Sequence, residues 1–154
     1  MGHVVQYVQL SDPIPKLPRR PVIRVAAALI VREGRILIGQ RMKDDSHGLK
    51  WEFPGGKIER GESTPDALAR ELEEELGIQA RIGREIVRYT WSYPKRATIL
   101  LMFHLVTEFS GEPSSLAFER ITWEAPGRLP EYDFLEGDVD FVRRLAAGEF
   151  PLVP

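Results

Sequence analysis

Three glutamates, Glu71, Glu74 and Glu75, stand at i, i+3 and i+4 in the segment Arg70-Glu-Leu-Glu-Glu-Glu-Leu-Gly77. On a helix they share one face. Like charges at those spacings repel, costing on the order of 0.2–0.5 kcal/mol per pair. A hard divalent cation removes that cost, and Mg²⁺ prefers oxygen ligands. The chemistry within reach is metal-assisted attack of water on a phosphoryl group. A Glu-rich helical face is, however, usually just solvated, because Glu is ordinarily exposed. The surroundings weigh against that simple reading. Pro54-Gly55-Gly56 lies just upstream, and glycine lets a backbone approach an ion or phosphate closely. Glu62 and Arg70 then follow between the glycines and the acidic run.

Local elements must hold these groups in place. Thr64 can cap the helix with Pro65 at its first position. Leu68, Leu72 and Leu76 recur every fourth residue and form the stripe that fixes the helix to a core. Gly77 is a natural stop. Upstream, residues 22–31 are apolar and β-rich, Glu33-Gly34 suits a tight turn, and residues 35–41 complete a hairpin. Residues 44–48 form a polar loop and 50–53 a short aromatic strand. Downstream, residues 78–88, 89–93, 97–107 and 121–124 have strand character. Residues 138–147 suit a terminal helix, with Phe141, Val142 and Leu145 facing inward. Strands with two helices imply a layered α/β domain. Residues 4–10 suit either an edge strand or a loosely held arm, since prolines interrupt the chain from Pro13 to Pro21.

The bulk numbers bound the rest. A chain of 154 residues, 43% hydrophobic and 29% charged, closes one core. With net charge −2 nothing favours a long nucleic-acid partner. The absence of cysteine excludes disulfides, thiolate catalysis and zinc–thiolate sites. No apolar run approaches the roughly 20 residues of a membrane helix, and no signal-peptide pattern opens the chain. A cytoplasmic protein, monomeric or homodimeric, is the expectation.

From Gly56 the spacing runs Gly, five residues, Glu62, seven residues, then Arg70-Glu71-Leu72-x-Glu74-Glu75-x-Gly77-Ile78. This string resembles the Nudix box at every specified position. The resemblance implies an α/β/α sandwich with a mixed sheet and a loop–helix–loop metal site. The Nudix domain would span residues 21–154, behind a Pro-rich extension over 1–20. It implies that Glu71, Glu74 and Glu75, joined by Gly55 through its carbonyl, hold Mg²⁺, with Mn²⁺ able to substitute. Arg70 and Glu62 orient the carboxylates, and Glu71 is the expected base.

Trp51-Glu-Phe-Pro-Gly-Gly-Lys-Ile-Glu59 is similar to the MutT branch of that family, which hydrolyses nucleoside triphosphates to monophosphate and pyrophosphate. Tyr93-Pro-Lys-Arg96, Gly111-Glu-Pro113, Trp123 and Phe134-Leu-Glu-Gly-Asp138 continue the likeness. It implies a small-molecule nucleotide substrate, such as 8-oxo-dGTP or CTP, met by Arg41, Arg96, Phe53 and Asp138. Asp138 stands where MutT has a base-reading asparagine, and capping the last helix is its alternative role. The branch's further metal-ligating Glu falls at Ala117, with Glu119 nearby. Phe53, Tyr93, Tyr132 and Phe134 are candidates to stack on a base, and equally to pack in the core. Dinucleoside polyphosphate or ADP-ribose hydrolysis is the second expectation, and a non-catalytic binding module the third.

Overall fold

A computed structural model describes residues 4–11, 22–92 and 96–154. Its strands are β1 (Val4–Val8), β2 (Val22–Arg32), β3 (Arg35–Gln40), β4 (Trp51–Glu52), β5 (Gly55–Lys57), β6 (Gln79–Arg81), β7 (Glu85–Ser92), β8 (Thr98–Val106), β9 (Glu108–Ser110) and β10 (Arg120–Glu124). The helices are α1 (Thr64–Leu76) and α2 (Val139–Ala146), and two 3₁₀ turns cover Pro126–Glu131 and Glu136–Asp138.

Among the described residues the main sheet runs β1-β7-β8-β2-β3-β10, with β4 on β3 and β5 on β2. It is mixed: β2 pairs in parallel with β8, and the other pairs are antiparallel. β2 feeds both faces, because successive side chains of a strand point to opposite sides. Ala26, Ala28 and Ile30 pack with Leu68, Leu72 and Leu76 of α1. Ala27 and Leu29 join the cluster that holds Phe141, Val142 and Leu145 of α2. The result is the expected α/β/α layering. The small residues of β2 let both layers approach the central strand.

The turn between β2 and β3 has φ 53° at Glu33 and 76° at Gly34, the pair of positive angles that a tight hairpin favours. Residues 4–8 are an edge strand on β7. The Tyr7 hydroxyl donates to Asp140 Oδ2 at 2.9 Å, tying that edge to α2. Two local expectations need correction. The cap of α1 is Ser63, not Thr64: Ser63 is extended, and its side chain accepts from the Asp66 N–H at 3.2 Å. Residues 78–88 are not one strand. Residues 82–84 separate β6, which pairs with β9 in a second small sheet, from β7.

Candidate active site

α1 carries the acidic run, and its apolar stripe decides where the run points. Ala67, Leu68, Leu72 and Leu76 are buried, so the intervening Arg70, Glu71, Glu74 and Glu75 lie to the side or outward. Gly77, at φ 71°, ends the helix and returns its N–H to the Glu73 carbonyl. β5 brings the glycines alongside by pairing Gly55 and Gly56 with Ala27 and Ala26. A Cβ on Gly56 would lie 2.4 Å from the Glu71 carboxyl carbon, and one on Gly55 2.1 Å from the Ala26 carbonyl oxygen. Gly55 is therefore required by the backbone around it, whereas a side chain at 56 would push the Glu71 carboxylate out of place.

Arg70 organises the carboxylates. Its Nε and Nη2 donate to both oxygens of Glu62 at 2.8 and 2.9 Å. Nη1 donates to Glu71 Oε1 at 3.0 Å and reaches Glu74 Oε1 at 3.5 Å. Nη2 also donates to the Lys57 carbonyl at 3.2 Å. Glu62 further accepts the Glu59 N–H. The Arg70 fork, then that N–H, hold its carboxyl down at about 2. Glu71 is pushed above the usual carboxylate range by burial, against the pull of Arg70. Glu75 is pushed up to about 8, by burial first and then by the charges of Glu52, Glu71 and Glu74, while the Gly55 N–H opposes. That N–H donates to Glu75 Oε1 at 2.9 Å, which ties the glycine turn directly to the acidic face of α1.

Among the described residues, no three carboxylate or imidazole groups stand arranged around one metal position. The donor set nevertheless fits a hard cation. Glu71 and Glu75 both have raised proton affinity, the mark of carboxylates short of positive charge, and Arg70 holds Glu71 and Glu74 on one side of the helix.

A cavity of about 470 Å³ opens beside this cluster. Gly55, Gly56, Glu75, Arg41, Glu52, Phe53 and Asp138 all line it. Arg41 is engaged: Nη1 meets both oxygens of Glu52 at 3.0 and 3.1 Å, and Nε donates to the Ser46 carbonyl at 2.9 Å. It thereby ties the following loop, whose Ser46 and His47 reach the cavity, to a largely buried carboxylate. Burial raises the proton affinity of Glu52 despite Arg41.

Phe53 is a core residue, packed with Phe103, Phe134 and Phe141, that also lines the cavity. Phe134 is buried, and Tyr132 donates to Glu124 at 2.6 Å; neither lines this cavity. Tyr93, Pro94 and Lys95 lie outside the described residues, and Arg96 is exposed just before β8. Neither Ala117 nor Glu119 lines the cavity.

Asp138 does not cap α2 through its side chain. It is buried, with its Oδ1 3.2 Å from the Tyr89 hydroxyl, which donates to the Gly137 carbonyl at 2.9 Å. Burial, then the charge of Glu52, pushes Asp138 up to about 7, and Tyr89 pulls the other way. Trp91 and Glu52 also line the cavity. A single Trp within a strand and a single Glu beside Phe53 carry no spacing that would mark either as a site residue. Their proximity to Asp138 is a product of the fold.

Comparison with known proteins agrees with this geometry. The family model described as NUDIX domain matches residues 20–145. The chain is 34% identical over 126 residues to a CTP pyrophosphohydrolase of Escherichia coli, covering 82% of this chain and 93% of that protein. It is 35% identical over 127 residues to an 8-oxo-dGTP diphosphatase of Haemophilus influenzae, with the same coverage of 82% and 93%. The crystal structure of a MutT NUDIX hydrolase from Burkholderia pseudomallei superimposes with a TM-score of 0.71 at 29% identity, covering 80% of this chain and 98% of that one. Nudix hydrolases generally need a divalent metal, in keeping with the carboxylates gathered around α1. A family match over residues 20–145, which hold both helices' inner faces and every strand from β2 to β10, together with an intact box folded against the sheet, makes this chain a member of the NUDIX family and a MutT-like Nudix hydrolase.

Proposed function

We propose that the protein hydrolyses a nucleoside triphosphate to the monophosphate and pyrophosphate in a Mg²⁺-dependent reaction. The observation that carries this reading is the shared cavity: Gly55, the box residues Gly56 and Glu75, and the buried carboxyl of Asp138 line one space. A nucleotide presents a polyphosphate and a base edge within one molecule, and this lining offers a separate partner for each.

In this reading Glu71, Glu74 and Glu75 hold the cation, which when bound supplies Lewis acidity at the transferring phosphoryl group. Arg70 and Glu62 keep Glu71 and Glu74 oriented, and Glu71 takes the proton of the attacking water. Arg41 and Arg96 meet the phosphates with charge-assisted bonds. Phe53 supplies apolar wall. Asp138 reads the base: ionised, it accepts from the adjacent N–H groups of guanine; protonated, it offers one donor and one acceptor, the complement of the N3 and amino group of cytosine. With a pKa of about 7 both forms coexist near neutrality. The relatives named for 8-oxo-dGTP and for CTP support this range of bases. The cytoplasm, which holds the nucleotide pool, is the proposed place of action.

The test is product analysis in Mg²⁺ across 8-oxo-dGTP, dGTP, CTP, dCTP, diadenosine tetraphosphate and ADP-ribose. Pyrophosphate release favouring one triphosphate is expected. Turnover confined to the last two substrates would refute the proposal. Glu75→Gln should lower kcat at saturating Mg²⁺ by at least about 100-fold. Its metal-free melting temperature at neutral pH should hold or rise, because folding no longer forces a buried carboxyl to take up a proton well above its ordinary pKa. Full kcat in that variant would sink the metal assignment.

A further inference from the structure

Gly137 has no positive φ that would demand glycine, yet it has no room for a side chain. A Cβ built there lies 2.8, 3.0 and 3.2 Å from Cδ2, Cε2 and Cε3 of Trp91. Cδ2 and Cε2 are the fusion atoms of the indole. Other ring atoms screen Cδ2 from in-plane approach, so the backbone of Gly137 rests on a face of the ring. The far side of the contact is firm as well. The Gly137 carbonyl accepts from Tyr89 at 2.9 Å, and the Leu135 N–H donates to the Trp51 carbonyl at 2.9 Å. Trp91 stands on β7, two residues from Tyr89, and both Trp91 and Gly137 line the cavity next to Asp138.

We infer that Trp91, seated against Gly137, is the specificity-determining wall of the base end of the cavity, and that the missing side chain at Gly137 leaves room for a purine. This rests on the reading that the cavity takes a nucleoside triphosphate. The physics is that of a close-packed wall, where one added methyl group is felt. A methyl at position 137 cannot move the anchored backbone easily, so it displaces the indole. Where the indole moves into the cavity, the larger base loses first. A flat aromatic wall also suits a base of either size by stacking.

The experiment is steady-state kinetics with dGTP and dCTP for the wild type, Gly137→Ala, Trp91→Leu and the double variant, with melting temperatures alongside. Gly137→Ala should lower the kcat/KM ratio of dGTP to dCTP by on the order of 10-fold, the size of effect one methyl group has in a tight pocket. Adding Trp91→Leu should return most of that ratio by removing the ring the methyl meets. Trp91→Leu alone should raise KM for both nucleotides with little change in kcat, since a wall binds but does not react. A ratio unmoved by Gly137→Ala in folded protein would overturn the inference, as would a loss that Trp91→Leu does not relieve. If Gly137→Ala does not fold, unchanged KM values in Trp91→Leu would overturn it. A wild type that turns over triphosphates while failing these tests leaves the proposed function standing. A wild type that releases no pyrophosphate from any triphosphate removes both.

Discussion

Arg70 spreads one guanidinium over Glu62, Glu71, Glu74 and the Lys57 carbonyl. A planar fork suits that task and a point charge does not. Arg70→Lys should therefore keep the net charge, lose the paired contact with Glu62 and lower kcat/KM by on the order of 10-fold. A Lys variant with wild-type kinetics would show that charge alone suffices. Asp138 gives a second residue-scale prediction. Its folded pKa of about 7 lies above its ordinary 3.8, so between those values the native state binds more protons than the unfolded chain. Stability then declines as pH rises from about 4 to about 7 and stays reduced above. Asp138→Asn, which carries no charge, should match the wild type near pH 4. It should exceed it at pH 8 by on the order of a few kcal/mol. Urea denaturation at the two pH values measures this, and a gap that does not widen with pH would contradict it.

At the scale of elements, α1 owes its position to Leu68, Leu72 and Leu76, all fully buried against β2. Leu72→Ala should cost about 2–5 kcal/mol by calorimetry or denaturant titration. It should also loosen the carboxylates on the same helix. A loss below about 1 kcal/mol would mean that the stripe is not what holds the helix. This periodicity, the glycine stop and the tight turn at Glu33-Gly34 were legible in the sequence because each follows from contacts a few residues apart. The cap was misplaced by one residue, since Ser63 and Thr64 are chemically equivalent there and only the extended backbone of Ser63 separates them. The break at residues 82–84 was hidden because partner strands set it: β6 pairs with β9, not with the main sheet. The box residues could be read as a motif. Glu52 and Trp91 could not, because what gives them a role is where Asp138 and Gly137 come to lie.

For the whole molecule, the edge strand β1 is tied to the helix α2 through Tyr7. Tyr7 donates to Asp140, and the Arg144 guanidinium lies 4.2 Å from the centre of the Tyr7 ring. Burial, then the Asp140 contact, pushes the Tyr7 hydroxyl up to about 12, so the bond persists across ordinary pH. Tyr7→Phe should cost about 1 kcal/mol and speed amide exchange in β1 more than in β8. Equal effects on both strands would show that β1 unfolds only with the whole. The parallel union of β2 with β8 has another consequence, one of timing. It joins residues as far apart in the chain as Val22 and Thr98, and β5 with its two glycines hangs on that same β2. Long-range parallel pairing is slow, because the connecting chain must lose its freedom before any contact rewards it. On the ribosome, the last residue of the box precedes β8, the parallel partner of the strand on which β5 hangs. The enzyme is therefore synthesised with its chemistry already written but without the floor that arranges it, and activity must wait for β8 to emerge and dock.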